Sequence, residues 1–240
     1  MKQACGIIPA RYGAHRFPGK PLAPILGKPM IQWVYERAGQ ARSLDKLIVA
    51  TDDRRIFDAC KSFGADVRRT SSEHKSGTER VAEVAEGLES PIIVNIQGDE
   101  PLINPLMIDD LIQALQENSV SMVTLAAKTE DLDKLEDSNI VKVVMDGDKN
   151  ALYFSRSPIP HRPTDYFWQH IGIYGYQRDF LLKFCSLRET RLEKTEKLEQ
   201  LRVLESGYRI KIIETQHPGL SVDTPADIIK VENFLNEQSD

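Results

Sequence analysis

Ala4-Cys5-Gly6-Ile7-Ile8-Pro9 is a short apolar run that stops at Ala10-Arg11 and opens into Tyr12-Gly13-Ala14-His15-Arg16-Phe17-Pro18-Gly19-Lys20-Pro21. An apolar run of this length, closed by proline, glycine and charge, reads as a buried strand followed by a loop. The pattern recurs downstream. Strands are predicted at Ala4–Pro9, Lys46–Thr51, Ile92–Ile96, Val120–Ala127, Val141–Met145, Ala151–Ser155, His170–Tyr176 and Arg209–Thr215. Helical patterns fall at Met30–Ala41, Asp53–Phe63, Gly77–Glu86, Pro105–Glu117, Asp179–Cys185, Lys194–Glu205 and Pro225–Asn236. Asp52-Asp53 suits the start of the second helix, and Thr224-Pro225-Ala226-Asp227 supplies a cap, a first-turn proline and an acid for the last. Strand-helix-strand order through the first half predicts an α/β domain with a mostly parallel sheet and helices on both faces. Strands dominate again from about 120 to 176. This stretch reads as a smaller mixed subregion inserted into one domain spanning 1–240.

Composition narrows the function classes. Thirty-one Lys and Arg against 36 Asp and Glu give a net charge of −5. That is the wrong sign for sequence-independent binding of nucleic acid, which needs a basic excess. No apolar stretch approaches the roughly 18 residues of a membrane span. The start is too short and too interrupted for a secretion signal. Cys5, Cys60 and Cys185 are odd in number and far apart, fitting neither a disulfide framework nor a zinc site. The expectation is a soluble, reduced, cytoplasmic globular protein without a nucleic-acid or membrane partner. There is no Ser-His-Asp set and no metal-binding His/Cys cluster in the pattern.

In open α/β sheets ligands bind beyond the carboxyl ends of the strands, so the polar residues there carry the chemistry. The loop after the first strand holds two glycines and the cations Arg11, Arg16 and Lys20, a composition that can cradle a polyphosphate or form a plain solvated connection. It is not a Walker A loop: one residue too many separates Gly13 from Gly19, and Pro21 stands where a magnesium-binding hydroxyl would be needed. Ile92-Ile93-Val94-Asn95-Ile96 ends in Gln97-Gly98-Asp99-Glu100-Pro101. Asp99 at that edge is either a magnesium ligand or part of a turn. Asp223, just before the last helix, is a second metal candidate or an acid complementing the helix dipole. Ser76-Gly77-Thr78-Glu79-Arg80 is a helix start, and Thr78 and Glu79 would serve there as well as on a base or ribose. Arg156 could hold an anion or lie unpaired on the surface. His170 opens a hydrophobic strand, where a structural role is the plainer reading. Glu193, Lys194, Glu196, Lys197, Glu199 and Arg202 have the spacing of a solvated helix face.

Together these motifs are more specific than any one alone. Ile7-Ile8-Pro9-Ala10-Arg11, Pro18-Gly19-Lys20-Pro21-Leu22, Gly27-Lys28-Pro29-Met30, Ala50-Thr51-Asp52-Asp53, Ser76-Gly77-Thr78-Glu79-Arg80 and Asn95-Ile96-Gln97-Gly98-Asp99-Glu100-Pro101 occur in that order. Ala151-Leu152-Tyr153-Phe154-Ser155-Arg156, His170-Ile171-Gly172-Ile173-Tyr174, Leu198-Glu199-Gln200-Leu201-Arg202 and Val222-Asp223-Thr224-Pro225 follow. The series closely resembles the 3-deoxy-manno-octulosonate (Kdo) cytidylyltransferase family over residues 4–235. The first motifs are shared by many sugar nucleotidyltransferases, and those from Ala151 onward resemble the Kdo family itself.

The resemblance implies a Rossmann-like nucleotide-diphospho-sugar transferase fold, a homodimer using residues 120–215 for sugar binding and dimerisation, and magnesium as cofactor. It implies transfer of CMP from CTP to Kdo, giving CMP-Kdo and pyrophosphate for lipopolysaccharide biosynthesis. Carried over position by position, Arg11 and Lys20 face the CTP phosphates, Ala10, Ser76 and Arg80 lie near cytosine or ribose, and Gln97 adjoins both substrates. Asp99 and Asp223 hold the metal and count with Arg11 and Lys20 as catalytic. Gln97, Arg156, His170, Tyr174, Glu199 and Gln200 line the Kdo pocket. Two departures stand out. His15-Arg16-Phe17 replaces a common Thr-Arg-Leu, and residues 188–196 lack the proline and serine often seen before the Glu-Gln pair, which bears on the sugar contacts. A related acid sugar such as 8-amino-Kdo is the alternative substrate; the later motifs disfavour a sialic acid. A catalytically dead homologue would have lost Lys20, Asp99 or Asp223, and all three are present.

Overall fold

In the computed structural model, which describes residues 3–13, 17–117, 120–217 and 219–237, the first apolar run forms β1 (Ala4–Ala10). After a short 3-10 turn at Lys20–Leu22 come β2 (Pro24–Ile25), β3 (Lys28–Pro29) and α1 (Met30–Ala38). The chain continues through β4 (Lys46–Thr51), α2 (Arg54–Ser62), β5 (Asp66–Arg69), α3 (Gly77–Glu86), β6 (Ile92–Asn95) and α4 (Pro105–Glu117). There follow β7 (Met122–Thr129), β8 (Lys142–Met145), β9 (Ala151–Ser155), β10 (Phe167–Gln177), α5 (Arg178–Ser186), α6 (Arg191–Glu196), α7 (Gln200–Glu205), β11 (Lys211–Thr215) and α8 (Pro225–Glu237).

These elements gather into two units. One holds residues 1–109 with 219–240, the other residues 110–218. In the first, β1 lies between β4 and β6, and β4 pairs with β5, all in parallel. Residues of β1 and β6 are almost wholly buried, as a parallel strand covered on both faces requires, and that is why both read as unbroken apolar runs. In the second unit β11 pairs with β7 in parallel, while β7–β10, β10–β8 and β8–β9 are antiparallel. The expected subregion at about 120–215 falls within this unit.

Two expectations need correction. β5 reads Asp-Val-Arg-Arg, with only Val67 buried, so its sequence carried no strand signal. The helix expected at Lys194–Glu205 is broken: Lys197 adopts a left-handed backbone (φ 56°), ending α6 before α7 begins. The break folds Glu193 and Arg202 against each other, so these charges are buried partners and not a solvated face. No helix among the described residues is long and apolar enough to cross a membrane.

Candidate active site

The carboxyl ends of β1 and β6 meet at Gly98. A Cβ there would stand 2.9 Å from the Pro9 carbonyl oxygen, so only glycine lets the two strand ends close up. Asp99 follows directly. On the β1 side, Gly19 takes a left-handed backbone (φ 74°) and its N–H donates to Tyr12 O at 2.9 Å, closing the loop that delivers Lys20. Lys20 Nζ donates to Asp99 Oδ2 at 2.6 Å and to Val222 O at 2.9 Å, and Asp223 Oδ1 stands 3.5 Å from it. The Val222 N–H donates to Asp99 O at 2.9 Å, holding the segment before α8 alongside Asp99.

Asp223 was open to the plainer reading of a helix-start acid. Asp227 does that work instead, accepting from the amides of Asp223 and Thr224 at 3.2 and 2.9 Å and from the Thr224 hydroxyl at 2.9 Å. The ion pair with Lys230, together with these bonds, holds the Asp227 carboxyl far below the usual range. The Asp223 carboxylate is thereby left to reach Lys20.

Ala10, Arg11, Lys20, Ser76, Arg80 and Gln97, the six residues matched to the nucleotide, line one cleft together with Asp99. Ser76 caps α3, its hydroxyl accepting from Glu79 N–H at 3.2 Å. Arg80 is buried, with Nη2 3.1 Å from Asp52 and Nη1 donating to the Thr70 hydroxyl and the Ser71 carbonyl. Burial lowers its pKa, against the pull of Asp52 and Glu83. Thr78 turns inward, accepting from Asn95 Nδ2 at 3.4 Å, and Glu79 accepts from the Lys75 amide at 2.7 Å; neither lines the cleft. His15 and Arg16 lie outside the described residues.

Sequence reasoning missed two neighbours. His74 lines the cleft with Nε2 hydrogen-bonded to Glu83 and Nδ1 3.9 Å from Glu79. A lone histidine in a polar loop carried no signal. Glu100 is buried, and burial together with the adjacent Asp99 charge raises its pKa to about 8.

Asp99 and Asp223 offer hard carboxylate oxygens that converge on one positive charge. Magnesium takes one or two such ligands plus phosphates and water, so the donor set fits it. Among the described residues no group of three or more His, Cys, Asp or Glu is arranged to hold a metal without a substrate.

Of the residues matched to the sugar, Gln97 belongs to this cleft, and the other five lie in the second unit. Burial lowers the His170 pKa to about 3, and its Nε2 is 3.0 Å from the Thr124 hydroxyl, so the ring is neutral. Tyr174 packs against it at 5.5 Å between ring centroids, and burial and the nearby Glu199 charge both raise the phenol's pKa. The buried Gln200 Nε2 has no hydrogen-bond partner among the described residues. Arg156 is not an unpaired surface residue: Nε donates to Glu196 O at 3.0 Å and Nη1 to Ser138 O at 2.9 Å.

Fold and cleft define a cytidylyl-transferring nucleotidyltransferase, and the cytidylyltransferase family model matches residues 5–212. A 3-deoxy-manno-octulosonate cytidylyltransferase from Solibacter usitatus (strain Ellin6076) is 52% identical over 98% of this chain and 95% of its own. Another from Geotalea uraniireducens (strain Rf4) is 51% identical over 96% and 98%. The solved structure of CMP:2-keto-3-deoxy-manno-octonic acid synthetase complexed with CTP superposes with a TM-score of 0.93 at 41% identity, over 98% of this chain and 99% of that one. The chain belongs to the 3-deoxy-manno-octulosonate cytidylyltransferase family, enzymes of lipopolysaccharide biosynthesis that activate Kdo with CTP to CMP-Kdo. Its fold is the α/β nucleotide-diphospho-sugar transferase fold, with the mixed, mostly parallel strands expected.

Proposed function

We propose that this chain transfers CMP from CTP to the anomeric hydroxyl on C2 of Kdo, using magnesium, as a cytoplasmic homodimer. The supporting observation is that Ala10, Arg11, Lys20, Ser76, Arg80 and Gln97, drawn from three separate strand and helix ends, surround one cleft with Asp99. The C2 hydroxyl oxygen bonds to the α-phosphorus as the bond to the β-phosphate bridging oxygen breaks. The hydroxyl proton goes to solvent, and pyrophosphate leaves. Such a transfer needs positioning and charge neutralisation more than covalent help from protein. Arg11 and Lys20 offset the charge that builds on the phosphates. Magnesium held by Asp99 and Asp223 would supply further neutralisation there. With a cation-rich nucleotide bound, Lys20 exchanges its contact with Asp99 for the phosphates. Arg156 takes the Kdo carboxylate through charge-assisted hydrogen bonds. Neutral His170, Tyr174, Glu199 and Gln200 meet the sugar hydroxyls, and the unpartnered Gln200 amide is the clearest free donor among them.

Pyrophosphate release with CTP and magnesium, offered Kdo, 8-amino-Kdo and N-acetylneuraminate separately, tests this reading. Release with Kdo supports it. Release with the amino sugar alone keeps the mechanism and changes the substrate, and silence with all three overturns it.

A further inference from the structure

Lys142 is fully buried within β8, an unusual place for an ammonium. Its three N–H groups are matched by three backbone carbonyls: Asp137 O at 3.0 Å, Ile140 O at 2.8 Å and Arg156 O at 2.6 Å. A methionine would fill similar space without the cost of desolvating a charge, so packing alone does not call for lysine here. Two of those carbonyls flank Ser138, whose own carbonyl accepts from Arg156 Nη1 at 2.9 Å.

Glu196 holds the other side of the same residue. Its Oε2 accepts from the Arg156 amide at 2.9 Å, and its backbone oxygen accepts from Arg156 Nε at 3.0 Å. Its Oε1 accepts from Ser155 Oγ at 2.9 Å and Tyr153 Oη at 3.2 Å, tying it to β9. Arg156 is therefore fixed at its amide, its carbonyl and two guanidinium nitrogens, while three of its five N–H groups lie outside these bonds. A planar fork held by one edge presents its other edge in a set direction, as bidentate recognition of a carboxylate requires.

We infer that Lys142 and Glu196 are positioning residues that aim Arg156 at the carboxylate of the acid sugar. The inference rests on the proposed assignment of Arg156 to that carboxylate. Acting through Arg156, both should govern the sugar substrate and leave the nucleotide untouched.

The test is steady-state kinetics on Lys142→Met, Glu196→Gln and Arg156→Ala, with each pair combined. Lys142→Met and Glu196→Gln are each expected to raise the Kdo KM about tenfold and to leave the CTP KM within about twofold. In an Arg156→Ala background neither should add anything, because residues acting through a shared group are not additive. Equal rises in both KM values, or full multiplication of effects in that background, would overturn the inference and mark a merely structural role. If Lys142→Met does not fold, Glu196→Gln carries the same comparison alone, since glutamine keeps an acceptor for Ser155. An unchanged Kdo KM in Arg156→Ala itself would remove the assignment of Arg156 and the clamp with it, a pattern distinct from the others.

Discussion

The Lys20 ammonium lies 2.6 Å from the Asp99 carboxylate, closing a contact between residues 79 positions apart. With Asp223 at 3.5 Å, the two acids share one cation. The negative pair exists to hold positive charge, and lysine holds it when the nucleotide is away.

Asp99→Asn keeps the size of the side chain and removes its charge. Turnover should fall by about a thousandfold or more, the scale of losing a principal electrostatic contact in the transition state. Binding of CTP, followed calorimetrically without Kdo, should survive. Near-normal turnover in this variant would sink the metal assignment of Asp99.

Arg156→Ala should raise the Kdo KM about tenfold or more while the CTP KM stays close to that of the parent, as expected for a lost charge-assisted contact to one substrate. Initial-rate measurements varying each substrate in turn decide it. Comparable effects on both would argue that Arg156 only supports the fold.

Glu193 and Arg202 form a buried ion pair, Nη2 to Oε1 at 2.5 Å and Nε to Oε2 at 2.8 Å, across the break between α6 and α7. The hydrogen bond to Glu193 raises the Arg202 pKa, so the guanidinium is firmly charged. Glu193→Ala strands that charge and should destabilise the protein by about 3–5 kcal/mol. Equilibrium denaturation gives the value, and a loss under about 1 kcal/mol would show that solvent reaches the pair more freely than its burial implies.

His170 has a folded-state pKa of about 3 against 6.5 for the free side chain. Between those values the unfolded chain binds the proton and the folded one does not, so stability falls as pH drops below about 6.5. His170→Gln removes that dependence. Melting temperatures from pH 7.5 down to 4.5 should decline less steeply in the variant than in the parent. Parallel slopes would mean that His170 takes up its proton without unfolding.

Much of the site could be read from sequence because of where α/β proteins put their ligands. Arg11, Gln97 and Asp99 follow the ends of apolar strands, and a strand buried on both faces must be a continuous apolar run. β5 escaped notice for the opposite reason: only Val67 is buried, and Asp66, Arg68 and Arg69 look like loop residues. The charged run from 193 to 202 misled because opposite charges three or four apart stabilise an exposed helix as well as a buried pair. Nothing local marks Lys197 as the residue that turns left-handed and breaks it.

The amino-acid sequence by itself determined the order of strands and helices, the glycines at close approaches and the residue types at strand ends. Those depend on periodicity and backbone sterics, which act over a few positions. Only the tertiary structure decided that Lys20 would meet Asp99 and Asp223, that Asp227 rather than Asp223 would cap α8, and that Lys142 and Glu196 would grip Arg156 from two sides. Charge is written in the chain, but desolvation and partnership are not. They arise when distant segments pack, and they turn an ordinary lysine into a buried three-way staple.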